Sequence, residues 1–330
     1  MPRISQIPLV TQLVSRTTQK EIAQEELRKE LLDGLIAEQM YISSKFFYNK
    51  TGSKLFEWIT QLPEYYPTRT EKLIIKAFGQ ELFGHLSHID LVELGSGDCS
   101  KISLVLNSIH TKQLSTIIYR PIDFSSSSIN ASKRELNNTF PTLQIEGEVA
   151  DFTQLQGIPN GQPRIICFFG STIGNFEPHQ TKALLNRLSH IMNAGDQLIM
   201  GMDLVKDINI LEAAYNDSQR ITEAFNKNIL RSCNNTLGTN FLTSDFKHIA
   251  FFNPIKSRIE MHLRANNDLF IKSPYFNGII FMNKGETIHT ENSHKYSLQS
   301  IYEMAEQSDL TIKNTFKDPQ EWFALVQLTK

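Results

Sequence analysis

The sequence predicts an α/β protein: a parallel sheet with helices on both faces, joined to a second domain of mixed α and β structure. Two observations carry this. Five short apolar runs rich in β-branched residues, IDLVEL, TIIYRPID, LQIEGEVAD, RIICFFG and DQLIMGMD, recur between about residues 89 and 202, each separated by an interval long enough for a crossover. The segments before and after them follow helical and hairpin patterns instead. A sheet of this kind binds its ligands at the carboxyl ends of its strands, so the site is sought just after each run.

Size and composition permit this architecture. At 330 residues with 40% hydrophobic content, the chain is long enough for one large domain or two modest ones with proper cores. Its formal net charge of -2 excludes a sequence-independent nucleic-acid binder and favours small-molecule chemistry. The three cysteines, Cys99, Cys167 and Cys233, form no CxxC pair, which fits a reducing cytosol and a cytoplasmic protein. The N-terminal MPRISQIPLVTQLVSR has no continuous apolar stretch of the export type. No segment approaches the roughly 18 apolar residues that span a bilayer, so no membrane partner is expected. A monomer is expected.

Taken in order, EIAQEELRKELLDGLIAEQM spaces Leu27, Leu31 and Leu35 four apart with charges between, the period of an amphipathic helix. KFFYNKTGSKLFEWITQLPEYYPTRTEK then crowds aromatic residues around Gly52, Pro63 and Pro67. This reads either as a satellite core of short helices or as a loop closing over a ligand. After the five runs, the chain from Leu204 to about Phe252 reads as helical. SRIEMHLRANNDLFIK and KGETIHTENSHKYSLQS read as strand and hairpin material, and LTIKNTFKDPQEWFALVQLTK as a hairpin that finishes the earlier sheet. The implied domains are 70–205 with 296–330 and 18–69 with 206–295.

The chemistry lies at the strand ends. After the first run, VELGSGDCSK carries Glu93, Gly95 and Gly97. Glycines there let the backbone turn tightly against a ligand, with unpaired amides at the following helix start. The loop lacks the GK[ST] ending of a phosphate-binding P-loop. Ser100 stands where a dinucleotide fingerprint has Gly or Ala. The second run ends in Asp123, a carboxylate suited to two ribose hydroxyls. The third leads to Asp151 and Phe152, a carboxylate and an aromatic ring suited to an adenine. Each Asp alone reads equally well as a helix N-cap. The fourth leads into CFFGSTIGNFEP, which is either a glycine turn capped by Asn175 or a set of amides presented to a substrate carboxylate.

ELGSGD, with an acidic residue before GxG, resembles motif I of class I S-adenosylmethionine-dependent methyltransferases. In order and spacing, GSKLFEWITQLPEYYPTRTE, LVELGSGDCSK, FFGSTIGNFEP, AYNDSQRITEAFNKNIL, RIEMHLRA and IHTENSHKYS resemble the histidine-specific Nα-methyltransferase family of ergothioneine biosynthesis, from about residue 20 to the C-terminus. The resemblance implies a class I methyltransferase Rossmann-like sheet with a mixed α+β substrate-binding domain. It also implies three successive methyl transfers from S-adenosylmethionine to the α-nitrogen of L-histidine.

Position by position, the resemblance implies cofactor contacts from Gly95, Lys101, Asp123, Asp151 and Phe152. It implies a histidine pocket lined by Tyr65, with Tyr48 as a second tyrosine; these two are its candidates for the catalytic end. Asn175 and Tyr215 would hold the amino-acid carboxylate, Glu291 and Ser293 recognise the imidazole, and Met261 form a pocket wall.

Neutral imidazole has one N–H, which Glu291 accepts, and a second nitrogen that Ser293 serves. An ionised Glu291 favours imidazolium, and Ser293 then acts as acceptor. A related branch of the family methylates tryptophan-type indoles, which have no basic nitrogen, so this pair argues for histidine. Asn292, in place of an apolar residue, is expected to alter pocket polarity, and Cys99 stands beside the cofactor loop. No metal is expected: His85 and His88 form only a single HxxH. His289 and His294 flank the pocket.

Overall fold

The structure, a computed structural model, describes residues 19–158, 162–276 and 278–330. The N-terminal stretch expected to lack an apolar leader, and residue 18 at the expected domain start, lie outside the described residues. Among the described residues thirteen strands occur: β1 Ile89–Leu94, β2 Ile117–Asp123, β3 Gln144–Ile145, β4 Glu148–Val149, β5 Arg164–Phe168 and β6 Gln197–Asp203. Then come β7 Phe246–Asn253, β8 Arg258–Ala265, β9 Leu269–Ile271, β10 Ile280–Met282, β11 Thr287–His294, β12 Thr311–Lys317 and β13 Phe323–Thr329.

Eight of them form one sheet in the order β12-β13-β6-β5-β1-β2-β3, with β4 also on β2. All pairs are parallel except β13 with β6 and β12 with β13, so the C-terminal hairpin closes the sheet as expected. This is the Rossmann-like class I methyltransferase sheet implied by the sequence. Strands β1 and β5, both buried along their whole length, sit at its centre, as their mostly apolar runs require, with Asp90, Glu93 and Arg164 buried among them. The chain leaves β1 for β2 on one side and later returns to place β5 on the other. The crevice at this switch point opens beyond Leu94 and Phe168.

A three-stranded antiparallel sheet, β11-β8-β7, and a two-stranded one, β10-β9, make up the rest. Their apolar core draws on residues between Leu31 and Tyr66 and between Leu211 and Ile288, whereas the two clusters flanking the large sheet draw on residues from Ile74 to Leu328. The first helix, Gln19–Leu35, turns Leu31 and Leu35 into that core and leaves Leu27 37% exposed, so the leucine stripe is buried only at its C-terminal end.

Three expectations need correction. The third run forms two dipeptide strands, β3 and β4, rather than one continuous strand. Gly147 between them runs so close to the helix above that a Cβ there would meet Ile129 at 2.4 Å. Residues 246–253, expected to close a helical stretch, are strand β7. The real helices in that region are Ile208–Ala213 and Ile221–Leu237. TENS lies within strand β11 as expected, but the LQS that closes KGETIHTENSHKYSLQS is not hairpin: it opens a helix, Leu298–Glu306, begun by a capping box at Ser297.

Candidate active site

A pocket of about 390 Å³ opens at the carboxyl ends of the central strands. It is lined by Tyr48, Phe56, Tyr65, Pro67, Gly170, Ser171, Thr172, Asn175, Asp203, Tyr215, Glu291 and Ser293. Six residues implied for the substrate site thus meet in one cavity from five places in the chain. Tyr65 caps the helix Tyr66–Phe83, whose Pro67 near the first turn fixes the entry angle. Its ring packs edge-on against Tyr215 at 6.3 Å. Tyr48, 45% exposed, stands at the mouth with its ring edge-on to Phe56. The aromatic stretch forms short helices with a satellite core, in which Phe47, fully buried, stacks on Phe225 at 4.4 Å, while its neighbour Tyr48 lines the pocket.

Glu291 and Ser293 share one face of β11, and Asn292 takes the other. A register shift between His289 and Glu291 re-aims the strand just before this pair. Asn292 donates from Nδ2 to Glu177 Oε1 at 2.9 Å and does not line the pocket, so it does not change the pocket's polarity as expected. Met261 is the cross-strand partner of Glu291. It belongs to the apolar core rather than to the pocket lining. Burial pushes the Glu291 carboxyl up to about 8, with Lys295 acting in the opposite direction.

Beneath the pocket lies a polar network that the sequence reading did not single out. Asp203, at the end of β6, accepts Tyr66 Oη at 2.8 Å, Lys206 Nζ at 2.6 Å and Lys295 Nζ at 2.8 Å. Burial works against its charge, but Lys295 and Lys206 overcome this and hold the carboxylate below its ordinary value. Lys295 also donates to Ser293 Oγ at 2.7 Å and to Tyr215 Oη at 3.2 Å, and Tyr215 donates to Ser293 Oγ at 2.7 Å. Tyr215, implied for the substrate carboxylate, therefore directs its hydroxyl to Ser293 here. No local sequence pattern marks Asp203 or Lys295; only their burial and long-range pairing reveal them.

The cofactor residues gather on the adjoining side of the crevice. Gly95 adopts φ 68° and Gly97 φ 54°, left-handed values that favour glycine. A Cβ on Gly95 would stand 3.6 Å from the Phe152 ring, so the glycine keeps this face of the loop open. Phe152 is held by Phe168 at 5.4 Å and Phe176 at 6.4 Å. Asp123 accepts the Ser125 amide at 2.9 Å and the Gly97 amide at 3.3 Å, while Asp151 accepts the Thr153 amide at 2.9 Å. Asp151 therefore caps the short helix Phe152–Gln154, whereas the helix after β2 is capped by Ser125 and Asp123 ties the glycine loop to the end of its own strand. A carboxylate has roughly four lone-pair sites, so ribose and adenine donors still find acceptors on each. An open glycine loop, an aromatic ring and acceptor carboxylates at successive strand ends fit an adenosine bearing an amino-acid arm.

Lys101 pairs with the fully buried Glu71 at 2.7 Å, and Glu71 also accepts the Gly170 amide at 2.9 Å. Glu71 was missed, although it closes the PTRTE stretch. Glu93 is buried beneath the loop, where burial pushes its carboxyl up to about 8 and the Tyr119 hydroxyl donates to it.

Two features lie outside this site. A cavity of about 620 Å³ between Phe176 and the helix Leu298–Glu306 includes His294 but none of the implied site residues. Among the described residues, Glu260, His262 and His289 bring three potential metal-ligand atoms within 4.8 Å of one another. The Arg258 guanidinium already donates to Glu260 Oε1 at 2.8 Å, and a fixed cation there opposes a second one.

The sequence profile of S-adenosylmethionine-dependent histidine-specific methyltransferases matches residues 27–330. A histidine N-alpha-methyltransferase of Mycolicibacterium smegmatis is 34% identical over 304 residues, covering 92% of this chain and 94% of that protein. One from Mycobacterium tuberculosis is 35% identical over 277 residues, covering 83% and 86%. The ergothioneine biosynthesis protein 1 of Schizosaccharomyces pombe is 27% identical over 304 residues, covering 88% of this chain and 39% of its own length. With the profile extending over nearly the whole chain, and the sheet and crevice in place, this protein belongs to the S-adenosylmethionine-dependent histidine-specific methyltransferase family.

Proposed function

We propose that the protein transfers three methyl groups in succession from S-adenosylmethionine to the α-nitrogen of L-histidine. The product is Nα,Nα,Nα-trimethylhistidine, hercynine, an intermediate of ergothioneine biosynthesis. The observation that carries this reading is the placement of Glu291 and Ser293 in the same small pocket as Asn175 and the three tyrosines Tyr48, Tyr65 and Tyr215.

Gly95, Lys101, Asp123, Asp151 and Phe152 would hold the cofactor. When bound, it supplies a methyl group on a positively charged sulfur. The chain's own residues position the acceptor. The Asn175 amide donates to the substrate carboxylate, and Glu291 accepts the ring N–H. Held at both ends, the amine keeps one position through three rounds, and such alignment is the largest contribution this pocket offers.

A neutral amine is needed at each round, and a free α-amino group, with a reference pKa of about 8, loses its proton without a strong base. Burial holds the Tyr65 phenol well above its ordinary value, so Tyr65 stays protonated and orients the amine rather than deprotonating it. Among the described residues, no helix is long and apolar enough to cross a membrane. Three buried free cysteines support a cytosolic setting, and we take the protein to act as a monomer.

Mass spectrometry of histidine incubated with the protein and S-adenosylmethionine tests this reading. Additions of one, two and three methyl groups are expected. Methylation of tryptophan, or of another amino acid, in preference to histidine would remove it.

A further inference from the structure

We propose that Lys295 is a specificity-determining positioning residue: it turns the Ser293 hydroxyl into a donor toward the pocket, so that the substrate ring is accepted only as neutral imidazole. The inference rests on the histidine reading above and goes beyond it, because it assigns the protonation state in which the ring is held and the residue that dictates it.

The argument is one of donors and acceptors. An ammonium has three donors and no acceptor. Lys295 has no exposed side-chain surface, and its three partners are Asp203 Oδ2 at 2.8 Å, Ser293 Oγ at 2.7 Å and Tyr215 Oη at 3.2 Å. Ser293 therefore accepts from Lys295, and its other lone pair accepts from the Tyr215 hydroxyl at 2.7 Å. The one hydrogen-bonding group Ser293 retains is its own O–H, and it lines the pocket beside Glu291. Imidazolium, with an N–H on each nitrogen, would set donor against donor there. Neutral imidazole gives its N–H to Glu291 and receives the Ser293 proton on its bare nitrogen.

Charge points the same way. Around the single carboxylate of Asp203 lie two lysines, Lys206 and Lys295, with the hydroxyl of Tyr66 as the remaining partner. The floor thus carries an excess of positive charge close to where the ring binds. Of the other titratable groups facing the ring, Glu291 is the carboxylate, and Tyr48, Tyr65 and Tyr215 are phenols. A second cation against Ser293 would share one oxygen with the Lys295 ammonium, which like charges disfavour in a dry site. The expectation that Ser293 serves as acceptor is therefore reversed by a residue two positions along the same chain.

The direct test uses the wild-type protein with ring-¹⁵N-labelled histidine and S-adenosylhomocysteine, followed by NMR. One protonated and one bare ring nitrogen are expected, persisting to pH values below the free ring's pKa of roughly 6.5. A bound ring protonated on both nitrogens at neutral pH overturns the proposal, because Ser293 must then have turned its proton onto Tyr215. Failure of histidine to bind at all overturns the histidine reading instead, and this proposal with it.

Lys295→Met gives an independent readout. With S-adenosylhomocysteine binding as the folding control, histidine should bind roughly tenfold or more weakly. The preference for histidine over an analogue carrying a pyrrole ring, which has no acceptor nitrogen, should collapse, and Lys295→Arg should restore it. A folded Lys295→Met that keeps the preference also overturns the proposal. If that variant does not bind S-adenosylhomocysteine, the NMR result on the wild type decides.

Discussion

The Nζ of Lys101 lies 2.7 Å from the carboxylate of Glu71, a side chain with no exposed surface. Lys101 begins the helix after the glycine loop, and Glu71 sits on the helix Tyr66–Phe83 that follows the pocket tyrosine. Because Glu71 also accepts the Gly170 amide, one buried carboxylate joins the helix after the cofactor loop to the turn that follows β5. The fit is close: a Cβ on Gly201 would come within 2.0 Å of Glu71 Oε1.

Glu71→Ala should therefore be costly, because it leaves a partly buried ammonium and a backbone amide without their acceptor. A loss of about 3–5 kcal/mol is expected from urea unfolding. Lys101→Met in the same chain should return part of that loss by removing the orphaned charge. An additive double mutant would show that the two residues are not coupled.

Glu291→Ala should raise the KM for histidine by roughly 10–100-fold, the cost of leaving the buried ring N–H without its acceptor. Cofactor affinity, measured by calorimetry, should be nearly intact, since Glu291 lies on β11 of the smaller sheet and the cofactor residues lie at the strand ends of the large sheet and on the segments that follow them. Equal losses on both sides would make Glu291 a structural residue of the crevice.

Asp123→Ala should do the reverse. Its carboxylate orders the loop by accepting the Gly97 and Ser125 amides, so removal both deletes a ribose acceptor and loosens the glycine turn. Cofactor binding should weaken roughly 10–100-fold. Unchanged binding by calorimetry would take Asp123 out of the site.

The large sheet was legible because its central strands are buried on both faces and therefore read as short, mostly apolar runs. The same signal weakens at the edge, where Glu148 and Val149 are exposed and the third run breaks into dipeptides. Strand β7 was read as helix because its burial is irregular and only a short connection separates its apolar residues from a long helix. Glu291 and Ser293 came from motif resemblance, and their shared strand face explains the alternation around Asn292. The buried partners Glu71, Asp203 and Lys295 were not legible. A lysine that reaches a carboxylate 92 positions away looks, in sequence, like any surface lysine.

Glu291 also makes a prediction about pH that needs no substrate. Burial pushes its carboxyl up to about 8, so between the ordinary carboxylate pKa of about 4.3 and that value the folded state binds a proton that the unfolded state has released. The stability contributed by this proton is fully present below the lower value and is lost as pH rises toward the upper one. Glu291→Gln cannot titrate and escapes this loss. Glu93, likewise pushed up to about 8 by burial, is present in both proteins and cancels in the comparison. The Tm of Glu291→Gln relative to the wild type should therefore increase steadily from pH 5 to pH 8 in ligand-free protein and level off above that. A difference that stays constant across this range would mean that Glu291 is already ionised in the empty pocket.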